Sequence, residues 1–182
     1  MVTLKNSLRA HLEEQVRHIS EHPEDAVREP RVETKLIDNL MAVSEFEQHG
    51  KNHTFISDEA EWNGGDGRGP TPLRYFLSGI GFCQQVWYAK CAALRGIPIE
   101  SLEISVGALL DIRGELGIEG YDPALGKINL ETRIRSTASS EEVLRLRNMV
   151  NSRCPVFNTL RKGTPVMERL VQNGQLISEG PV

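Results

Sequence analysis

The sequence predicts an α+β domain, and three observations carry that expectation. One long run with helical period, Pro72 to Arg95, stands between two blocks of residues that alternate with a period of two. The gaps between the alternating segments are too short for the crossovers of a parallel sheet, so the strands should pair antiparallel. The element order α, βββ, α, ββ, αα, β, with no internal repeat, is that of a mixed domain.

The length of 182 residues suits one domain with a core of its own. A net charge of -4 with interspersed signs gives no basic stripe, which excludes a nucleic-acid footprint. Met1 to Ser20 is polar and periodic, without the apolar region of a signal peptide. Three cysteines are too few and too odd in number for a secreted disulfide framework, so a reducing cytoplasm is the expected setting.

In chain order, Leu4, Leu8, Leu12, Val16 and Ile19 form the stripe of an amphipathic helix that ends near His22-Pro23. His18 and His22 stand at a metal-ligand spacing, but no third ligand accompanies them, so they read as solvated and no metal is expected. Residues 1–30 are taken as a helical extension and 31–182 as the domain. Val32, Thr34 and Leu36 alternate with charged neighbours; a second run covers Leu40 to Glu47, and a third His53 to Asp58. A three-stranded meander accounts for them.

Asn63 to Pro70 is a glycine-rich loop that precedes a helix. It lacks the Gly-Lys-Ser/Thr ending of a P-loop and the spacing of a dinucleotide fingerprint. It reads as a flexible wall beside a pocket. Leu73, Phe76, Leu77, Ile80, Cys83, Trp87, Cys91 and Leu94 then recur at three and four residues, as in a core helix roughly 35 Å long. Pro72 suits its first turn, and Gly96 with Pro98 stops it. Arg74, Gln84, Gln85 and Lys90 interrupt the run too often for a membrane span.

Leu102 to Ile112 and Ile128 to Ile134 are the two clearest strands, each with one apolar face. Ser139 with Glu142 forms a capping box for a helix that turns Val143, Leu146 and Val150 inward. Cys154-Pro155 opens a shorter helix to about Lys162, and the tail folds as a strand or hairpin around Asn173-Gly174.

The thiols differ in setting. Cys91 fits plain packing. Cys154 occupies the N-cap of the helix begun by Pro155, where free N–H groups, the positive dipole end and Arg153 favour the thiolate and lower the thiol pKa. Cys83 is mid-helix and needs a charge or donor from elsewhere in the fold. The residues alone leave open whether Cys83 and Cys154 meet.

Gly69-Pro70-Thr71-Pro72-Leu73 leading a helix to Cys83 resembles the first motif of the OsmC/Ohr family, the osmotically inducible and organic hydroperoxide resistance proteins. Arg153-Cys154-Pro155-Val156, followed by Asn158-Thr159-Leu160, resembles its second, and Asp111-Ile112-Arg113-Gly114 closes the strand after the central helix as in the family. The resemblance covers about Arg31 to Glu179. It implies an OsmC-like fold: curved antiparallel sheets wrapped around long central helices in an intertwined homodimer, with the N-terminal helix an addition.

The resemblance also implies chemistry. Cys83 would attack an organic hydroperoxide, Cys154 would resolve the product as a disulfide, and an external dithiol of lipoyl type would reduce it, with no bound cofactor. Phe76, Phe82, Trp87 and Phe157 would supply apolar surface for the substrate. Active peroxidases of the family carry a glutamate just after the proline, where this chain has Leu73 and Arg74. They also hold the thiolate with an arginine; Arg68 is the nearest candidate and Arg74 the next. That departure motivates an alternative, a redox sensor or binder of a small apolar ligand that has lost efficient peroxidase activity. A hydrolase is disfavoured because His49 and His53, the candidate bases, fall in a strand–turn region.

Overall fold

The computed structural model describes residue 5 and residues 7–181. Leu4, the first position of the expected N-terminal stripe, lies outside them. Helix α1 spans Leu8–Glu21 and rests on the central helix, burying Leu12 while Val16 stays in water. At its end His18 meets Asp25 at 2.8 Å and His22 meets Glu24 at 3.4 Å, all of them exposed. Among the described residues no group of three or more His, Cys, Asp or Glu is placed to hold a metal ion.

Strands β1 (Glu33–Asp38), β2 (Met41–Gln48) and β3 (Lys51–Ser57) form the expected antiparallel meander. The β2–β3 connection is shorter than its composition suggested. His49 and Gly50 alone make the turn, both at positive φ, and Lys51 already pairs with Gln48. Asn173 and Gly174 repeat the device between β6 (Met167–Gln172) and β7 (Gln175–Pro181).

The loop after β3 is not the flexible wall its glycines suggested. Asp58, 1% exposed, takes the backbone N–H groups of Glu59, Asp66 and Arg68 at 2.9, 3.3 and 3.0 Å. Gly65 passes so close to the backbone just after β3 that a Cβ there would lie 2.0 Å from the Glu59 carbonyl oxygen. One buried carboxylate therefore supplies the acceptors that a side-chain-poor loop cannot supply for itself. Its pKa is held below the usual carboxylate range, chiefly by the Arg68 N–H, against the opposing effect of burial.

Helix α2 spans Pro72–Arg95, with Thr71 extended at its N-cap and Gly96 in the left-handed conformation at its end. The Ile97 N–H reaches back to the Ala92 carbonyl at 3.0 Å, closing the last turn as a glycine stop allows. Strands β4 (Ser101–Leu109) and β5 (Lys127–Arg135) pair with Ile104 opposite Thr132 and Val106 opposite Leu130. A Cβ at Gly81 would stand 3.5 Å from Val106, so the small residue lets α2 lie directly on β4. Helix α4 (Ser140–Arg153) begins with the expected reciprocal capping of Ser139 and Glu142 and lays Leu146 and Val150 against Tyr88, Cys91, Ala92 and Ile99. Burying each of those two aliphatic side chains contributes about 1.5–3 kcal/mol.

Two expectations are corrected. Strand β4 ends at Leu109 rather than Ile112. Asp111 accepts the Arg113 N–H at 3.1 Å and opens one helical turn, α3 (Ile112–Glu115). Helix α2, apolar on nearly every side and expected to be a core helix buried on more than one face, is buried in this chain on one: Phe82 is 66% and Val86 50% exposed. Every residue of β1 and β6 is exposed as well, so the core lies between α2, the β4–β5 pair and α4.

Candidate active site

Helix α4 ends at Arg153, and Pro155 begins helix α5 (Pro155–Lys162). Cys154 is thus at once the C-cap of one helix and the N-cap of the next, an extended residue at φ -68 and ψ 114. Proline fixes that corner, because its ring disfavours helical conformation in the residue before it. The Asn158 side chain ties the corner from inside, donating to the carbonyls of Cys154 and Asn151 at 2.8 and 2.9 Å.

The corner faces the middle of α2. Cys154 Sγ donates to Cys83 Sγ at 3.1 Å, and both thiols are free. Cys154 is completely buried and Cys83 partly so. Cys91 joins the core cluster, as its packing role required, with its thiol pKa raised by burial.

Cys154 corrects the electrostatic expectation. Burial outweighs the helix N-terminus and pushes its pKa up to about 11. The backbone amides of Phe157 and Val156 do pull the other way, though the sulfur makes no strict capping hydrogen bond; the neighbouring Cys83 adds to the rise. At neutral pH Cys154 is therefore a protonated donor. Its S–H faces the Cys83 sulfur, which accepts it.

The apolar candidates divide by helix geometry. At ~100° per residue, Phe76 and Trp87 share the Cys83 side of α2, whereas Phe82 is turned about a quarter circle away. Trp87 carries the Lys90 ammonium 5.1 Å from its ring centroid. Phe157 stands on the first turn of α5 with the Arg161 guanidinium 5.7 Å from its ring.

The arginine candidates are engaged elsewhere. Arg74 precedes Cys83 by nine residues, which at ~100° each places it on the opposite side of the helix. There it lines a recess with Gly81, Phe82, Gln85 and Val106, so within this chain it is not the charge beside the thiol. Arg68 is held by Asp38 at 3.1 Å, Asp66 at 3.0 Å and Asp58 at 3.4 Å.

Two buried polar residues were not singled out from sequence. Asp58 had a legible signal, an acid immediately ahead of a glycine-rich loop in need of acceptors. Gln84 had none: it follows Cys83, is 2% exposed, and its Nε2 has no hydrogen-bond partner among the described residues.

The family model of OsmC-like proteins matches residues 65–169, more than half of the chain, and that span contains both thiols and the helices that bring them together. The chain belongs to the OsmC-like family. Its fold is similar to that of an OsmC-like protein from Mycoplasma pneumoniae, with a TM-score of 0.63, 24% identity, and coverage of 74% of this chain and 89% of that one. An OsmC-like protein of unknown function from Vibrio cholerae gives 0.57 at 11% identity over 73% and 94% of the two chains. An organic hydroperoxide resistance protein from Legionella pneumophila gives 0.53 at 15% identity over 75% and 93%. No curated protein matches the sequence. At such identities the likeness is one of fold, and what this OsmC-like chain does rests on its own residues.

Proposed function

We propose that the protein is a thiol-dependent peroxidase-like enzyme that reduces organic hydroperoxides through Cys83 and Cys154, as a cytoplasmic homodimer recycled by an external dithiol of lipoyl type. The observation that carries this reading is the 3.1 Å contact between two free sulfurs, one of them buried and protonated. The Cys83 thiolate attacks the terminal oxygen of the hydroperoxide. An S–O bond forms, the O–O bond breaks, and the alkoxide leaves.

Cys154 gives that alkoxide its proton, which yields the alcohol and a Cys154 thiolate beside the α5 amides. The thiolate then attacks the Cys83 sulfenic acid, forming the disulfide and releasing hydroxide. Phe76 and Trp87 flank Cys83 on its own helix face and suit an alkyl or aryl substituent better than hydrogen peroxide. The dimer is supported by the unburied apolar faces of α2, β1 and β6.

A second reading, a redox sensor or small-ligand binder without efficient turnover, is favoured by one observation. Three carboxylates occupy Arg68 and α2 turns Arg74 away from Cys83, which leaves Cys154 as the thiol's evident partner.

Dithiol-dependent consumption of cumene hydroperoxide decides between them. The parent should turn over, Cys83→Ser should be inactive, and Cys154→Ser should stall as a trappable sulfenic acid. Full turnover in Cys83→Ser would overturn the assignment. Stoichiometric disulfide formation without recycling would favour the sensor.

A further inference from the structure

Two thiols in contact, without a third ligand, define a coordination problem of their own. Bonds of about 2.3 Å to sulfur, the length zinc makes, hold two sulfurs ~4.6 Å apart across a linear centre and ~3.8 Å apart across a tetrahedral one. Around a right-angled centre the same bonds leave the sulfurs ~3.3 Å apart. The observed separation is 3.1 Å. It disfavours linear dithiolate ions such as copper(I) and suits a pyramidal centre whose bonds meet near a right angle, the geometry of trivalent arsenic.

The third bond of such a centre has no protein ligand. Cys91 lies eight residues beyond Cys83, about 12 Å along the helix, and is sealed in the core. Among the described residues no third His, Cys, Asp or Glu joins the pair. Inorganic arsenite, which gains its full affinity from three sulfurs, is therefore poorly served. An arsenical whose third bond is already taken by carbon is well served, because Phe76 and Trp87 share the Cys83 face of α2 and Phe157 stands on the first turn of α5, beside Cys154 in the chain.

We propose that Cys83 and Cys154 form a binding site for aryl-substituted trivalent arsenicals, held by two As–S bonds with the aryl group against these aromatic side chains. The reaction is a condensation: an arylarsine oxide and two thiols give the dithioarsinite and one water, and arsenic stays trivalent. The proposal rests on the same reduced thiol pair as the peroxidase reading but needs no turnover, so either can fail without the other.

The test is titration of the phosphine-reduced full-length protein with phenylarsine oxide and, separately, with sodium arsenite, read by intact mass and by thiol counting. The expected result is one phenylarsenic group per chain, loss of two of three thiols, and an affinity at least ~10-fold above that for arsenite, about 1.4 kcal/mol. Cys91→Ser should bind as the parent does, and Cys154→Ser at least ~10-fold more weakly. A parent sample first oxidised with diamide should take up none, which keeps the test decisive if a substituted chain folds poorly. Unchanged uptake by Cys154→Ser or by the oxidised parent would overturn the proposal. So would arsenite binding as tightly as the aryl compound.

Discussion

Cys154 donates its thiol proton to Cys83 at 3.1 Å from a position that is both the end of α4 and the start of α5. The two residues lie 71 positions apart in the chain, and two helix termini and a proline fix the geometry. Because burial works against the helix dipole at Cys154, the pair is asymmetric before any substrate arrives. One sulfur holds a proton and the other accepts it.

The raised pKa of Cys154 has a consequence for stability. Its folded value, about 11, exceeds the ordinary thiol value of 9.0. The stabilisation is therefore complete below pH ~9 and is lost as pH rises toward 11, where the unfolded chain ionises first. Urea midpoints of the reduced protein should fall across pH 9–11, and Cys154→Ser should flatten that slope. An equal slope in the variant would show that other groups cause the loss.

Asp58 predicts the opposite limb. Its carboxylate pKa is depressed, so the stabilisation is present above the ordinary carboxylate range and is lost as pH falls through the lower folded value. Asp58→Asn removes one acceptor from a loop whose N–H groups have no alternative. It should lower Tm on the order of 5 °C at pH 7 and weaken the acid dependence. Thermal scans of both proteins at pH 7 and pH 3 measure it; identical shifts at the two pH values would show that the charge is not what matters.

Much of this architecture was legible because short-range signals set it. The α2 boundaries followed from Pro72 and Gly96, the α4 start from Ser139 and Glu142, and the last hairpin from Asn173-Gly174. The misreadings share a different cause, burial by residues distant in sequence. Cys154 looked like an activated thiolate because its dipole is local and its desolvation is not. The 63–70 loop looked mobile because the carboxylate that pins it precedes the loop. Arg74 is the exception, a candidate for its place at the start of the central helix: nine residues of helix make half a turn beyond whole turns, and that was readable from the start.

Gly114 gives a steric prediction. The Arg113 guanidinium lies 3.8 Å from the Tyr121 ring centroid and binds Asp111, folding the segment that follows α3 back on itself. A Cβ at Gly114 would meet the Asp122 carbonyl oxygen at 2.3 Å. Gly114→Ala should destabilise by about 2–3 kcal/mol in urea unfolding, since the backbone must move. Gly107→Ala, where a Cβ meets nothing within 4 Å, should change stability by less than ~1 kcal/mol. Equal effects would show that the segment yields freely.

The exposed stripe of α2 predicts the assembly. Phe76, Phe82 and Val86 are 42, 66 and 50% exposed, on a helix whose opposite side is sealed against β4 and α4. Leaving large apolar side chains in water forgoes ~1.5–3 kcal/mol each. A second copy of the chain, bringing the same stripe, would recover that free energy in a two-fold contact. Light scattering at micromolar concentration should report twice the 20.3 kDa chain mass. Phe82→Glu would bring one carboxylate from each chain into that contact and should shift the population to monomer by at least ~10-fold in dissociation constant. Because Phe82 is turned away from Cys83, the isolated variant should keep the contact between its thiols and still form the Cys83–Cys154 disulfide with one equivalent of oxidant. Loss of both properties together would place Phe82 in the chain's own core instead, and a monomeric parent would remove the interface altogether.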